Sequence, residues 1–161
     1  DRDALEWKSS DMLVKMLIDT VSKGGNFLLN IGPNPRGEID PRAVKRMQAI
    51  GAWIRLHKEA IIDCGPSKYP VPKDCRYTQN GKKLYLHVYS YPFKHIHLPE
   101  IADQVRFIRF LHDGSEIFYR GFDPNEVITS TEAVIAPNDL VVTLPVVPPN
   151  VLIPVLEITL K

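Results

Sequence analysis

The stretch 26–31, Asn-Phe-Leu-Leu-Asn-Ile, is a short apolar run fenced by glycines, Gly24-Gly25 before it and Gly32 after it. It is too short for a buried helix and fits a strand buried on both faces, the kind found in parallel sheets. Upstream, Leu13, Val14, Leu17, Ile18 and Val21 recur at spacings of three and four, which predicts an amphipathic helix over 10–22. Ser10 can cap its start, Asp11 suits the positive end of its dipole, and Gly24-Gly25 supplies the stop. Downstream, Gly32-Pro33-Asn34-Pro35-Arg36-Gly37 must be a loop, and Asp40 followed by Pro41 reads as the cap and first position of a second helix. Val44, Met47, Gly51 and Ile54 form its expected inward stripe. Helix, doubly buried strand, helix is the repeating unit of a parallel α/β fold. One such strand cannot stand alone, so residues 1–64 read as a fragment of a larger sheet.

Past Gly65 the hydrophobic period changes to two. Leu84, Leu86 and Val88 alternate with Tyr85, His87 and Tyr89, which predicts a half-buried strand. Asn80-Gly81 before it is a strong hairpin signal, so 75–79 should pair with it. Asp113-Gly114 marks a second expected hairpin, between 105–111 and 116–119. Ile96 and Leu98, then 133–135, 140–144 and 151–160, complete a set of short strands. Short strands at regular spacing with turn signals mean an antiparallel sandwich or barrel. Prolines at segment edges (Pro66, Pro70, Pro72, Pro92, Pro99, Pro145, Pro148, Pro149) break pairing and fix turns. The expected organisation is therefore an α/β fragment over 1–64 and an all-β antiparallel sandwich over 65–161, with the boundary inside 63–73.

With 161 residues the chain is long enough for one ordinary domain or two small units. Twenty basic against nineteen acidic residues give a net charge of +1, which recommends neither nucleic acid nor an anionic membrane as a partner. The apolar runs fall far short of the roughly 20 residues that span a bilayer. Cys64 and Cys75 flank a proline-rich loop; a disulfide and two reduced thiols are both open readings, and two ligands do not make a closed metal site.

Asn30, near the carboxy end of the expected strand, has two readings: contact with a site there, or an amide that ties the 32–35 loop to nearby backbone. Arg36 and Glu38 are loop-tip charges that either rim a cleft or are simply solvated. Asp40 is explained as a cap, Asp11 as a first-turn charge and Asp113 as a turn residue. No working acid/base pair of carboxylates is expected within the chain. His95 and His97 should point off one face of a strand; two histidines at that spacing can bind zinc, but no third ligand is placed, so the expectation is an exposed face and no metal. Tyr85, His87 and Tyr89 form an aromatic stripe of the kind that stacks on sugar rings, or that packs against another part of the protein.

The run Val21-Ser22-Lys23-Gly24-Gly25-Asn26-Phe27-Leu28-Leu29-Asn30-Ile31-Gly32-Pro33 resembles the end of the catalytic domain of the α-L-fucosidases, glycoside hydrolase family 29. Gly32-Pro33-Asn34-Pro35-Arg36-Gly37-Glu38-Ile39, Ile50-Gly51-Ala52-Trp53 and Glu59-Ala60-Ile61 follow in that family's order, while Ile62-Asp63-Cys64 departs from its usual Tyr-Gly and small residue. The resemblance implies that 1–64 closes a (β/α)8-like barrel, whose active site lies at the carboxy ends of its strands, and that 65–161 is the family's carboxy-terminal sandwich docked on it. It makes Gly24, Gly25, Asn26, Gly32 and Pro33 structural motif residues and Asn30 a substrate-proximal one. It places Trp53 in the domain interface or against the barrel wall. The implied chemistry is retaining hydrolysis of terminal α-linked L-fucose from glycans, by an Asp nucleophile and a second carboxylate about 5 Å apart, with no metal or cofactor. The family carries these groups and its fucose-binding histidines on earlier strands, so no catalytic role falls on this chain, which is expected to be inactive alone. Self-association or pairing with the rest of the barrel is expected. A carbohydrate-binding or assembly module is the alternative. Periplasmic, secreted and lysosomal settings all suit the family, and the chain opens with no signal segment.

Overall fold

The computed structural model describes residues 7–125 and 135–161. Two helices, α1 (Ser10–Ser22) and α2 (Pro41–His57), precede a single 3-10 turn, Lys58–Ala60. Seven strands follow among the described residues: β1 (Cys75–Asn80), β2 (Lys83–Val88), β3 (His95–Leu98), β4 (Val105–Phe110), β5 (Tyr119–Gly121), β6 (Leu140–Thr143) and β7 (Val155–Leu160). They form a four-stranded sheet in the order β1-β2-β7-β4 and a three-stranded sheet in the order β3-β6-β5, with every pairing antiparallel.

The helix starts follow from capping. Ser9 caps α1, one residue before the expected Ser10, and its hydroxyl accepts from the Met12 N–H at 3.1 Å. Asp40 caps α2, with Pro41 at the first helical position. α1 ends at Lys23, whose N–H reaches back to Thr20, and Gly24 then turns the chain at φ 75°. A Cβ on the next glycine, Gly25, would stand 3.0 Å from Thr20 Cγ2 and 3.3 Å from its carbonyl oxygen. A side chain there would make Thr20 give way by a few tenths of an ångström.

The β1–β2 hairpin forms as the Asn80-Gly81 signal predicts, with Asn80 paired to Lys83 and Gly81 at φ 54°. The second expected hairpin forms only in outline. Arg109 bridges Glu116, and Ile117 N–H donates to the Ile108 carbonyl at 3.0 Å, but the returning strand β5 then leaves to pair with β6 in the other sheet. The expected strand at 133–135 lies outside the described residues, apart from Ile135, which is buried.

Both faces of the four-stranded sheet are covered, which makes three layers. Leu84, Leu86, Val88, Ile108, Leu156 and Ile158 face the three-stranded sheet, where Ile96, Leu98, Leu140, Val142 and Leu144 close the sandwich core. On the opposite face Tyr85 and Val155 pack with Leu13, Val14 and Ile18 of α1 and Ile50 and Trp53 of α2. The β2 strand expected to be half-buried is therefore buried on both sides, because the helices occupy its outer face. The aromatic stripe packs there: Tyr85 and His87 are buried under the helical layer, and Tyr89 donates to the Lys15 carbonyl at 3.2 Å.

Two expectations for the first segment are corrected. Residues 26–31 pair with no strand among the described residues, and Leu28 is 86% exposed. An apolar strand of the parallel kind needs neighbours on both sides, and the described residues supply none. The expected inward stripe of α2 is also displaced. Ala43, Ile50, Trp53 and His57 are its buried residues, while Val44 and Met47 are each 38% exposed. The helix thus has a second apolar flank that the described residues leave partly exposed.

Candidate functional site

The 32–40 loop is built around Asn34. Its side-chain oxygen accepts from the N–H groups of Arg36 and Glu38, both at 2.9 Å, and its amide nitrogen donates to Glu38 Oε2 at 2.9 Å. The Asn34 N–H donates to the Glu38 carbonyl at 2.8 Å, and Pro33 bridges Ile39, so the loop is a closed tongue. At its root Asp40 caps α2, accepting from the Arg42 N–H at 2.8 Å, and pairs with the Arg42 guanidinium at 2.8 Å. The Arg42 and Arg46 guanidiniums stand 4.7 and 5.0 Å from the centre of the Trp7 ring, and Arg46 also donates to the Lys8 carbonyl at 2.7 Å.

These groups enclose an open cleft of about 1190 Å³ between the 26–31 segment, the tongue and the first turns of α2. Asn30, Gly32, Pro33, Arg36 and Glu38 all line it, so the structure brings together the residues that the sequence singles out around the tongue. Gly24, Gly25 and Asn26 are not among its walls; they make the turn that delivers the chain to it. Trp7, Asn34 and Arg46 also belong to the cleft, and nothing in the hydrophobic period pointed to them. The Asn-Pro-x-Gly pattern of a side-chain-braced turn was the available signal for Asn34. Chemically the cleft offers an apolar floor, Leu13, Leu29, Ile31 and Ala43, under a rim of amides and guanidiniums. Its carboxylates, Glu38 and Asp40, already have partners in Asn34 and Arg42. The result is an apolar cleft with a polar, hydrogen-bonded rim.

His95 and His97 lie exposed on β3, at a second, smaller cavity of about 510 Å³ shared with Asp74 and Asp139. Among the described residues no group of three or more His, Cys, Asp or Glu side chains is placed to hold a metal ion. Also among those residues, no helix is long and apolar enough to cross a membrane. Cys64 and Cys75 are free thiols, pushed up to about 11 and about 12 by burial. Trp53 is 2% exposed and donates from Nε1 to the Ile153 carbonyl at 2.9 Å, in the seam between α2 and the sheet.

The sequence profile of the family described as Alpha-L-fucosidase matches residues 1–59, the stretch that forms the helices and the cleft. Over those residues the chain resembles the α-L-fucosidase family. Tissue α-L-fucosidase of Bos taurus is 32% identical over 93 residues, covering 57% of this chain and 20% of that protein. The human tissue α-L-fucosidase is 38% identical over 76 residues, covering 45% of this chain and 16% of that protein. Among solved structures, α-L-fucosidase isoenzyme 1 from Paenibacillus thiaminolyticus superposes with a TM-score of 0.83 at 35% identity, over 96% of this chain and 35% of that one. An α-L-fucosidase from Bacteroides thetaiotaomicron superposes with a TM-score of 0.84 over 100% of this chain and 34% of that one; at 20% identity it speaks for the fold alone. The chain thus spans about a third of the solved relatives and a fifth or less of these curated ones. The family match falls on the segment whose apolar surface is open, and the structural match runs on through the sheets.

Proposed function

We propose that this chain is the carboxy-terminal part of a retaining α-L-fucosidase that removes terminal α-L-fucose from glycans. Residues 1–64 then supply the closing strand and helix of a (β/α)8-like barrel, and 65–161 a sandwich that buttresses it. The catalytic carboxylates come from the rest of the parent protein, and this segment alone is inactive. Asn30 and the Asn34-braced tongue then lie at the substrate end of the barrel.

The observation that carries this reading is the 26–31 segment. It is apolar, pairs with no strand among the described residues and leaves Leu28 86% exposed, and the family match falls on it. A surface of that kind, continued by Met12, Met16, Val44 and Met47 on the helices, calls for covering. The remainder of a barrel would place parallel strands on both sides of 26–31 and helices against the exposed flanks. The same surface supports association with that remainder, or with another copy, as the natural state of the chain. The carbohydrate-binding-module alternative rested on the Tyr85–His87–Tyr89 stripe, and the helical layer now occupies that face.

The test is hydrolysis of a chromogenic α-L-fucoside by the chain alone and by the chain mixed with the preceding barrel segment. The proposal expects no turnover alone and turnover on mixing. Turnover by the pure chain would place a catalytic pair within it and overturn the assignment of those carboxylates to the rest of the protein.

A further inference from the structure

The seam between the helical layer and the four-stranded sheet holds three imidazoles, while the core between the two sheets holds none. His57 ends α2 and His87 sits in β2, and both are 0% exposed. His112, just beyond β4, is mostly covered, its side chain 15% exposed. The rings form one cluster around Trp53: His57 stacks on the indole at 4.9 Å between centroids, His87 lies 6.2 Å from it, and His112 lies 6.3 Å from His57.

The hydrogen bonds fix the tautomers. His57 Nδ1 sits 2.9 Å from the Trp53 carbonyl oxygen, which only accepts, so Nδ1 carries the proton. Thr78 Oγ1 gives its proton to the Ala60 carbonyl at 2.6 Å, so it accepts from His87 Nε2–H at 2.8 Å. His57 Nε2 and His87 Nδ1 are then bare lone pairs, buried and without partners, as is His112 Nδ1 buried without a partner. A proton on either inner ring would add a charge with no acceptor for it. Among the described residues, the surrounding elements offer no counter-charge. From the turn after α2, Lys58 and Glu59 point to solvent, and the Cys64 thiol donates to the Glu59 carbonyl. Arg76 of β1 is held by Asp19 of α1, and the β2 neighbours Tyr85 and Tyr89 are neutral phenols pushed up by burial. Glu157 of β7 is committed to Lys83 and Arg109, and Asp113 reaches only the outer edge of His112, at 3.5 Å.

We infer that His57 and His87 form an acid-operated latch, whose protonation parts the helical layer from the four-stranded sheet while the sandwich core stays closed. The two inner rings can take up protons only once the seam opens, so acid draws the equilibrium toward the parted state. Among the described residues, the core between the sheets has no such group to charge and keeps its packing.

The test is hydrogen exchange read by mass spectrometry on the full-length protein from pH 7 to pH 4, corrected for intrinsic exchange rates. In the working range each histidine that binds a proton only when the seam opens should raise the opening equilibrium about tenfold per pH unit. For His57 and His87 together, α1 and α2 should lose protection about a hundredfold per pH unit, while β7 amides hold theirs. His57→Asn and His87→Gln keep a neutral donor near Nδ1 and Nε2 respectively, and together they should flatten that dependence. Loss of protection in β7 together with the helices, or an undiminished slope in the double variant, overturns the latch. The comparison of helices with β7 in the unsubstituted protein decides the matter even if the variant fails to fold.

Discussion

Thr78 is the point at which the connector, the sheet and the histidine cluster meet, and Thr78→Val isolates what its hydroxyl contributes. The side chain is fully buried, and its oxygen joins the Ala60 carbonyl at 2.6 Å to His87 Nε2 at 2.8 Å. Valine has nearly the same shape, so no cavity opens and the change is purely polar. It leaves one buried acceptor and one buried donor unsatisfied, each costing about 1–3 kcal/mol. Removing the hydroxyl's own desolvation offsets roughly 1 kcal/mol of that. A net loss of about 3 kcal/mol is expected. With a urea slope of about 2 kcal/mol per molar, the unfolding midpoint should fall by roughly 1.5 M. Trp53 fluorescence reports the transition, since its ring lies 6.2 Å from His87. Thr78→Ser, which keeps the hydroxyl and gives up one methyl, should cost only about 1 kcal/mol. A Thr78→Val loss below about 1 kcal/mol, or serine faring worse than valine, would refute the claim that this hydroxyl is a hydrogen-bonding hub.

Other consequences follow from the same geometry. Burial holds His57 down to about 4 and His87 down to about 3, so between those values and about 6.5 the unfolded chain binds more protons than the folded one. Their contribution to stability is complete above about pH 6.5 and is lost as pH falls toward 4. From pH 7 to pH 5 the two together should lower the unfolding free energy by roughly 4 kcal/mol, measurable by urea titration at each pH. Trp53→Ala should cost about 3–5 kcal/mol, and Trp53→Phe distinctly less, because phenylalanine keeps the packing and loses mainly the bond to the Ile153 carbonyl. Iodoacetamide at pH 7 should label Cys64 and Cys75 far more slowly in the folded protein than in urea, since both thiols are held protonated; equal rates would contradict their burial.

Much of the fold could be read in the letters because the local signals were strong. Asp40-Pro41, Asn80-Gly81 and the Leu13–Ile18 spacing each act through their own backbone, and each element formed where expected. What escaped the sequence was set by layers. The pattern of β2 reads as half-buried because Tyr85 and His87 are amphipathic letters, and only the helices above them make that face interior. The α2 stripe was misread for a related reason. The helix has two apolar flanks, and periodicity cannot say that Ala43, Ile50, Trp53 and His57 turn toward this chain while Val44 and Met47 stay open. Of the candidate cleft, Asn30, Arg36 and Glu38 were legible from their place on the loop; Trp7 was not, because its partners Arg42 and Arg46 lie on another element.

The connector after the helices does more than join two segments. Gly65 exchanges both backbone hydrogen bonds with Gln79, at 3.0 Å each, and so lies along the free edge of β1. On the far side of the same sheet, residues 115–117 run beside β4. Each margin of the β1-β2-β7-β4 sheet is thus capped in part by the protein's own backbone, which shortens the edge open to a foreign strand. If this chain clumps when separated from its neighbours, growth should start at 26–31, where apolar residues without strand partners offer the ready template, and a charge placed at Leu28 should slow it.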